Sequence, residues 1–285
     1  MREIVVVSGK GGTGKTSITA SLASIASQEG AALCDADVDA PDLWILVPPE
    51  RQEKFDFIGM DGAEVSKESC TGCGACLDFC RFDAIRMEGK KATVTAGCEG
   101  CGGCAMVCPK EAITMVPRQQ GRWFKAITHL GPMVYARLFP GGENSGMLVT
   151  TVKRAAKEEA QRLELPNLIV DGPPGIACPA IAAVTGASLA LAVTEPTESG
   201  IHDLKRLHQL TADMDIPMAV VLNKSDVTDM APRVREVCRE LTIPLIGEIP
   251  FSRDIPESVA SGSIPVEHMR PSIDHIWQEI KRITG

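Results

Sequence analysis

Between an apolar run, Ile4–Val7, and an alanine-rich helical stretch, Lys15–Gln28, lies Gly9-Lys10-Gly11-Gly12-Thr13-Gly14-Lys15-Thr16-Ser17. No other feature restricts the fold as much. The pattern G-x4-G-K-[ST] needs a strand before it and a helix after it. Its glycines let backbone N–H groups wrap a phosphate at the helix N-terminus. In such a loop Lys15 is expected to neutralise β/γ charge and Thr16 to ligate Mg2+, with Gly9 to Ser17 together as the expected nucleotide cradle.

The rest of the chain agrees with that start. Ala31–Cys34 reads as a second strand, running into the acidic loop DADVDAPD. From Asn167 the alternation resumes: LIVD (168–171), SLALAVT (188–194), MAVVLN (218–223) and LIGEIP (245–250) are strands. Apolar spacing at Ile201, Leu204, Leu207 and Leu210 marks a helix between two of them, and Val227–Leu241 fills the next gap. Continuous apolar strands separated by amphipathic helices predict an α/β fold, a mostly parallel sheet with helices on both faces. WFKAITHLGPMVYARLF (123–139) reads as two strands joined at Gly131–Pro132, and 143–163 as a helix.

Residues 62–118 break this texture. They are rich in glycine and hold eight of the eleven cysteines, from Cys70 to Cys108. The expected division is a discontinuous domain, 1–61 and 119–285, with 62–118 inserted as a small α+β domain. Cys70, Cys73, Cys76 and Cys80 recur as Cys98, Cys101, Cys104 and Cys108, an offset of 28 residues that also matches Gly72 with Gly100 and Ile85 with Ile113. Two copies of one unit, packed face to face, are expected. Each copy is C-x2-C-x2-C-x3-C, which resembles the bacterial two-cluster ferredoxins. That resemblance implies two [4Fe–4S] clusters with crossed ligation, one on Cys70, Cys73, Cys76 and Cys108, the other on Cys98, Cys101, Cys104 and Cys80. Zinc is the alternative, but its sites use two cysteine pairs with a spacer rather than three cysteines on one loop. Arg81 stands where the ferredoxin pattern has the proline found at Pro109, which removes no ligand.

KGGTGKT, with Lys10 inside the loop, resembles the deviant Walker A of MinD/ParA/Mrp-type P-loop ATPases. LCDADVDAPDL (33–43) is similar to their switch I, LIVDGPPG (168–175) to their Walker B and switch II, and IPFSRDIPESVASGSIPV (249–266) to their closing segment. The resemblance covers nearly the whole chain. It implies ATP hydrolysis by a homodimer in which Lys10 reaches the partner's nucleotide and Asp37 orients the attacking water. Thr16, Asp35 and Asp171 are expected round Mg2+, with Asn223 reading adenine and Pro250 near the base. VLNKSD (221–226) also resembles the guanine-reading N-K-x-D; the KGGTGKT loop favours ATP.

With 29 basic and 37 acidic residues and few aromatic stacking platforms, no nucleic-acid partner is expected. No apolar stretch is long enough to span a bilayer, so a cytoplasmic protein acting without a membrane is expected. The C-terminal stripe Ile273, Ile276, Trp277, Ile280 and Ile283 reads as a packing helix, and His129, His202 and His208 as ordinary surface or packing residues. Two functions fit: Fe–S or metallocofactor assembly on a target protein, as Mrp-like relatives suggest, or ATP-gated electron transfer to a redox partner, by analogy with nitrogenase iron protein. Cys34 and Cys238 are expected to be buried packing residues. Cys178, seven residues after Asp171, is either a thiol at the dimer axis, as in nitrogenase iron protein, or a small residue packing under switch II.

Overall fold

The structure is a computed structural model that describes residues 1–140 and 145–285. In chain order it forms β1 (Arg2–Ser8), α1 (Lys15–Ala26), β2 (Ala31–Asp35), α2 (Leu43–Leu46) and β3 (Arg51–Ile58). Then come β4 (Gly62–Val65), α3 (Ala75–Phe79), β5 (Ile85–Glu88), β6 (Lys91–Val94), α4 (Gly103–Met106) and β7 (Ile113–Val116). The chain continues through β8 (Gln119–Thr128), β9 (Gly131–Leu138), α5 (Ser145–Arg162), β10 (Asn167–Pro174), α6 (Cys178–Val184) and β11 (Leu189–Thr194). It ends with α7 (Glu198–Asp213), β12 (Met218–Asn223), α8 (Ala231–Glu240), β13 (Leu245–Ile249), α9 (Asp254–Ala260) and α10 (Val266–Thr284). The helix expected over 143–163 begins at Ser145, and its first two positions lie outside the described residues.

Nine strands form one sheet in the order β13-β12-β11-β1-β10-β2-β9-β8-β3. The run from β13 to β9 is parallel throughout. Ile4 to Val7 are fully buried, as a strand covered on both faces must be. On α1 the small residues Ala20, Ala23 and Ala26 are also fully buried and let the helix sit close. The C-terminal stripe packs as expected, with Ile273, Ile276, Trp277 and Ile280 in the core. Register sets the functional end: Val6 pairs with Asp171 and Asp171 with Asp35. The loops leaving β1, β10 and β2 therefore emerge side by side at the carboxyl edge, where open α/β sheets bind ligands.

The chain divides into two compact units, Met1–Phe55 with Trp123–Arg137 and Ser145–Gly285, and Asp56–Arg122 with Leu138–Asn144. The second unit is wider than 62–118. Gly59 N–H donates to Arg118 O, and Phe139 N–H to Gln120 O, so residues either side of the cysteine tract are stitched into it.

Within the second unit the repeat is visible as β4-α3-β5 followed by β6-α4-β7. The copies exchange partners: β4 pairs with β7 and β5 with β6, both antiparallel. Equivalent backbone irregularities recur, with positive φ at Asp83 and Glu111 and at Gly72 and Gly100. Gly72 and Gly100 have no alternative, because a Cβ there would collide with the carbonyl oxygens of Lys90 and Asp61. The core of the unit is Ile85, Ala92, Ala112 and Ile113 packed with Cys70, Cys76 and Cys104.

Candidate functional site

A cavity of about 670 Å³ opens at the carboxyl edge of the parallel strands, lined by the whole loop from Lys10 to Ser17 and by Asp37. Gly14 has φ 85°, and a Cβ there would run into the amide of Asn223. That amide donates to Thr13 O at 2.7 Å, which brings Asn223 against the loop. Thr13 Oγ1 is buried without a hydrogen-bond partner, a group left for a ligand.

Behind the loop lies a charged nest. Lys15 Nζ donates to Asp171 Oδ1 at 2.8 Å and lies 3.5 Å from Asp37 Oδ2. Thr16 donates to Asp171 Oδ2 at 2.6 Å and Thr19 to Oδ1 at 2.8 Å. Burial would push the Lys15 ammonium down, but the carboxylates of Asp171, Asp37 and Asp35 hold it above its ordinary range. Burial, reinforced by Asp171, pushes Asp35 well up. Burial also raises Asp37, to about 6, against the pull of Lys15.

Asp35 does not line the cavity. Its two oxygens accept the backbone N–H groups of Asp37 (3.2 Å) and Leu43 (2.9 Å), so it folds the acidic loop on itself. Asp39 and Asp42, in the acidic loop after β2, line the cavity as well, and Asp42 makes no side-chain cap bond at α2. Lys10 is paired within its own chain, 3.3 Å from Glu195 Oε2 and 3.2 Å from Ser199 Oγ. Neither partner was expected, because both lie far along the chain with no local pattern to mark them. Pro250 is exposed beyond β13. Asp226, the residue a guanine reading would require, accepts the Phe251 N–H at 2.7 Å through one oxygen.

One prediction follows from the Asp37 environment. An acid whose folded pKa is raised contributes stability that is full below its unfolded value near 4 and is lost as pH rises through about 6. Asp37→Asn should therefore melt with the wild type near pH 4 and above it at pH 7.5 in nucleotide-free, metal-free buffer. The gap should be about 2 kcal/mol. Equal melting at both pH values would show that the carboxylate is not strained.

The eight cysteines of the second unit, all free thiols, fall into two sets. Cys70, Cys73, Cys76 and Cys108 line one cavity; Cys98, Cys101, Cys104 and Cys80 line another. Strand exchange accounts for the mixing, since β5, which follows Cys80, pairs with the second copy. Backbone N–H groups of Ala92 and Gly72 lower the Cys70 thiol, and Ala112 N–H donates to Cys108 Sγ at 3.3 Å. Burial raises Cys76 and Cys104. Among the described residues no group of three or more His, Cys, Asp or Glu is arranged to hold a metal ion. What the sets share with a cluster site is donor chemistry, four thiols to a cavity, rather than a preformed polyhedron. That donor set fits a [4Fe–4S] cluster, which takes one thiolate per corner.

Cys34 and Cys238 are buried, and burial lifts Cys238 to about 11. Cys178 is exposed as the first residue of α6, not packed under switch II. His129 and His202 are exposed, and His208 is half-buried. Among the described residues no helix is long and apolar enough to cross a membrane.

The CobQ/CobB/MinD/ParA nucleotide binding domain matches residues 4–266. An uncharacterised protein of Methanocaldococcus jannaschii is 32% identical over 98% of this chain and 96% of its own. Among solved structures, the cell division ATPase MinD of Pyrococcus furiosus superposes with a TM-score of 0.60 at 19% identity, over 99% of both chains. The septum site-determining protein MinD of Pyrococcus horikoshii, complexed with Mg-ADP, gives 0.60 at 17% identity, over 100% of this chain and 97% of that one.

Proposed function

The chain belongs to the CobQ/CobB/MinD/ParA nucleotide-binding family, and from that premise we propose a Mg2+-dependent ATPase whose nucleotide-switched homodimer controls electron delivery from two [4Fe–4S] clusters to a partner protein. The observation that carries this reading is the sharing of cysteines between the repeats. A group bound by either set of four would be gripped by both copies, whose strands are paired to each other. Such ligation suits a resident redox group better than a cargo. When bound, the clusters supply one-electron storage and transfer.

The protein's own groups manage the nucleotide. Lys15 neutralises phosphate charge, and Thr16, backed by Asp171, meets the Mg2+, with Asp35 shaping the loop beside them. Asp37, at the cavity wall, orients the attacking water, so hydrolysis rests on positioning and charge. Lys10 serves the partner's phosphates in the closed dimer. Asn223 and the Pro250 loop take the adenine. The Mg-ADP held by the Pyrococcus horikoshii relative supports the choice of adenine nucleotide.

A second reading, Fe–S or metallocofactor assembly on a target protein, is favoured by the exposed Cys178. Two copies of it would place two thiols on a dimer, enough for a transient metal.

Reduction potentials measured by anaerobic titration test the coupling. With ATP they should shift, and in the wild type they should return to the ADP value as ATP is consumed. Asp37→Ala should bind ATP, hydrolyse it about 100-fold more slowly and keep the shifted values. Potentials identical in every nucleotide state would remove the electron-delivery reading, and wild-type turnover by Asp37→Ala would remove the switch I assignment.

A further inference from the structure

Lys10 has somewhere to be when no partner's nucleotide is present. Its ammonium lies on Glu195 and Ser199, with its side chain 39% exposed and that of Glu195 only 12%. The receptacle is built from the turn joining β11 to α7. Thr197 caps α7 by accepting the Gly200 N–H at 3.0 Å, and its hydroxyl lies 3.2 Å from that of Ser199. Gly200 leaves no room for a Cβ, which would strike Glu195 O.

Glu195 also has a second cation. Lys224 donates to its other oxygen at 2.5 Å and to Gly12 O at 3.0 Å, tying the turn to the phosphate loop. Burial pushes the Glu195 carboxyl up, yet Lys224 and Lys10 together hold it below the usual range. The geometry is therefore a two-cation clamp on one carboxylate.

We infer that Glu195 is a positioning residue that holds Lys10 in its own subunit and yields it to the partner's nucleotide when the dimer closes. A lysine ammonium is a single point charge and serves one anionic site at a time. Withdrawing Lys10 from Glu195 does not orphan a buried carboxylate, because Lys224 stays. The hand-over is thus reversible and opposes closure only modestly, with a triphosphate offering more negative charge than the carboxylate it replaces. Closure then depends on nucleotide, and Glu195 sets how strongly. The inference rests on the homodimer reading of Lys10.

The test is sedimentation of the full chain with a slowly hydrolysed ATP analogue. Glu195→Gln keeps the shape and a hydrogen bond to Lys224 but removes the charge that holds Lys10. Each freed lysine should favour closure about two- to fivefold, as for a partly exposed ion pair, so the two in a dimer should lower the dimerisation midpoint roughly four- to twenty-five-fold. Ser199→Ala, which spares the clamp, should move it the same way by less, and it stands in if Glu195→Gln does not fold. Lys10→Ala should abolish nucleotide-dependent dimers, and Glu195→Gln should not restore them in that background, because its gain acts through Lys10. If Lys10→Ala abolishes nucleotide-dependent dimers while Glu195→Gln and Ser199→Ala dimerise at the wild-type concentration, the holding role is wrong and the dimer reading stands. If Lys10→Ala dimerises like the wild type, the dimer reading of Lys10 fails and takes this inference with it.

Discussion

Lys15→Ala should lose ATP binding by two orders of magnitude or more and should also destabilise the nucleotide-free protein. The first effect comes from removing the one buried ammonium at the phosphate loop. The second comes from what the ammonium leaves behind. Asp171 and Asp35 are fully buried, and Asp37 lies 3.5 Å from the Lys15 nitrogen. Breaking one side of a buried charge pair costs about 3–5 kcal/mol. Here Thr16 and Thr19 still donate to Asp171, so the lower end of that range is expected. The loss should be larger at pH 8 than at pH 5, because at low pH the stranded carboxyls take up protons. Calorimetry and melting curves on the same preparations measure both effects. A variant that binds ATP as tightly as the wild type would contradict the assignment of the cavity.

Much of this site could be read from the sequence because its information is local. A glycine-rich loop of this pattern must follow a strand and open a helix, and the apolar run Ile4–Val7 stands directly before it. The cysteine repeat was legible for the same reason, each loop being set by residues within ten positions of one another. The limits of the second unit were not. β3 gives no apolar alternation, with Phe57 its one buried residue, so nothing in 51–58 announces a strand that carries the chain from one unit into the other. Likewise the hydrogen bond from Phe139 to Gln120 is a long-range pairing with no local signature.

The same distinction separates the residues that the sequence pointed to from those that it did not. Asp37 and Asp171 sit in recognisable strings. Glu195 is known only by what it touches, Lys10 from one side and Lys224 from the other, and those three residues meet through three separate loops. Asp39 and Asp42 look like turn formers in sequence, and only the fold shows them on the cavity wall.

The proposal that the two four-thiol sets hold clusters in the same chain as the nucleotide-binding domain is tested most directly by anaerobic iron and sulfide analysis, with site-selective spectroscopy of Cys108→Ser. The wild type should hold about eight iron and eight sulfide per chain. Cys108→Ser should perturb the cluster on Cys70, Cys73 and Cys76 and spare the one on Cys98, Cys101 and Cys104, because Cys108 lines the first cavity and not the second. A reconstituted wild type with fewer than about four iron, or stoichiometric zinc in their place, would contradict the cluster reading. Loss confined to the 98–104 loop in Cys108→Ser would contradict the crossed ligation.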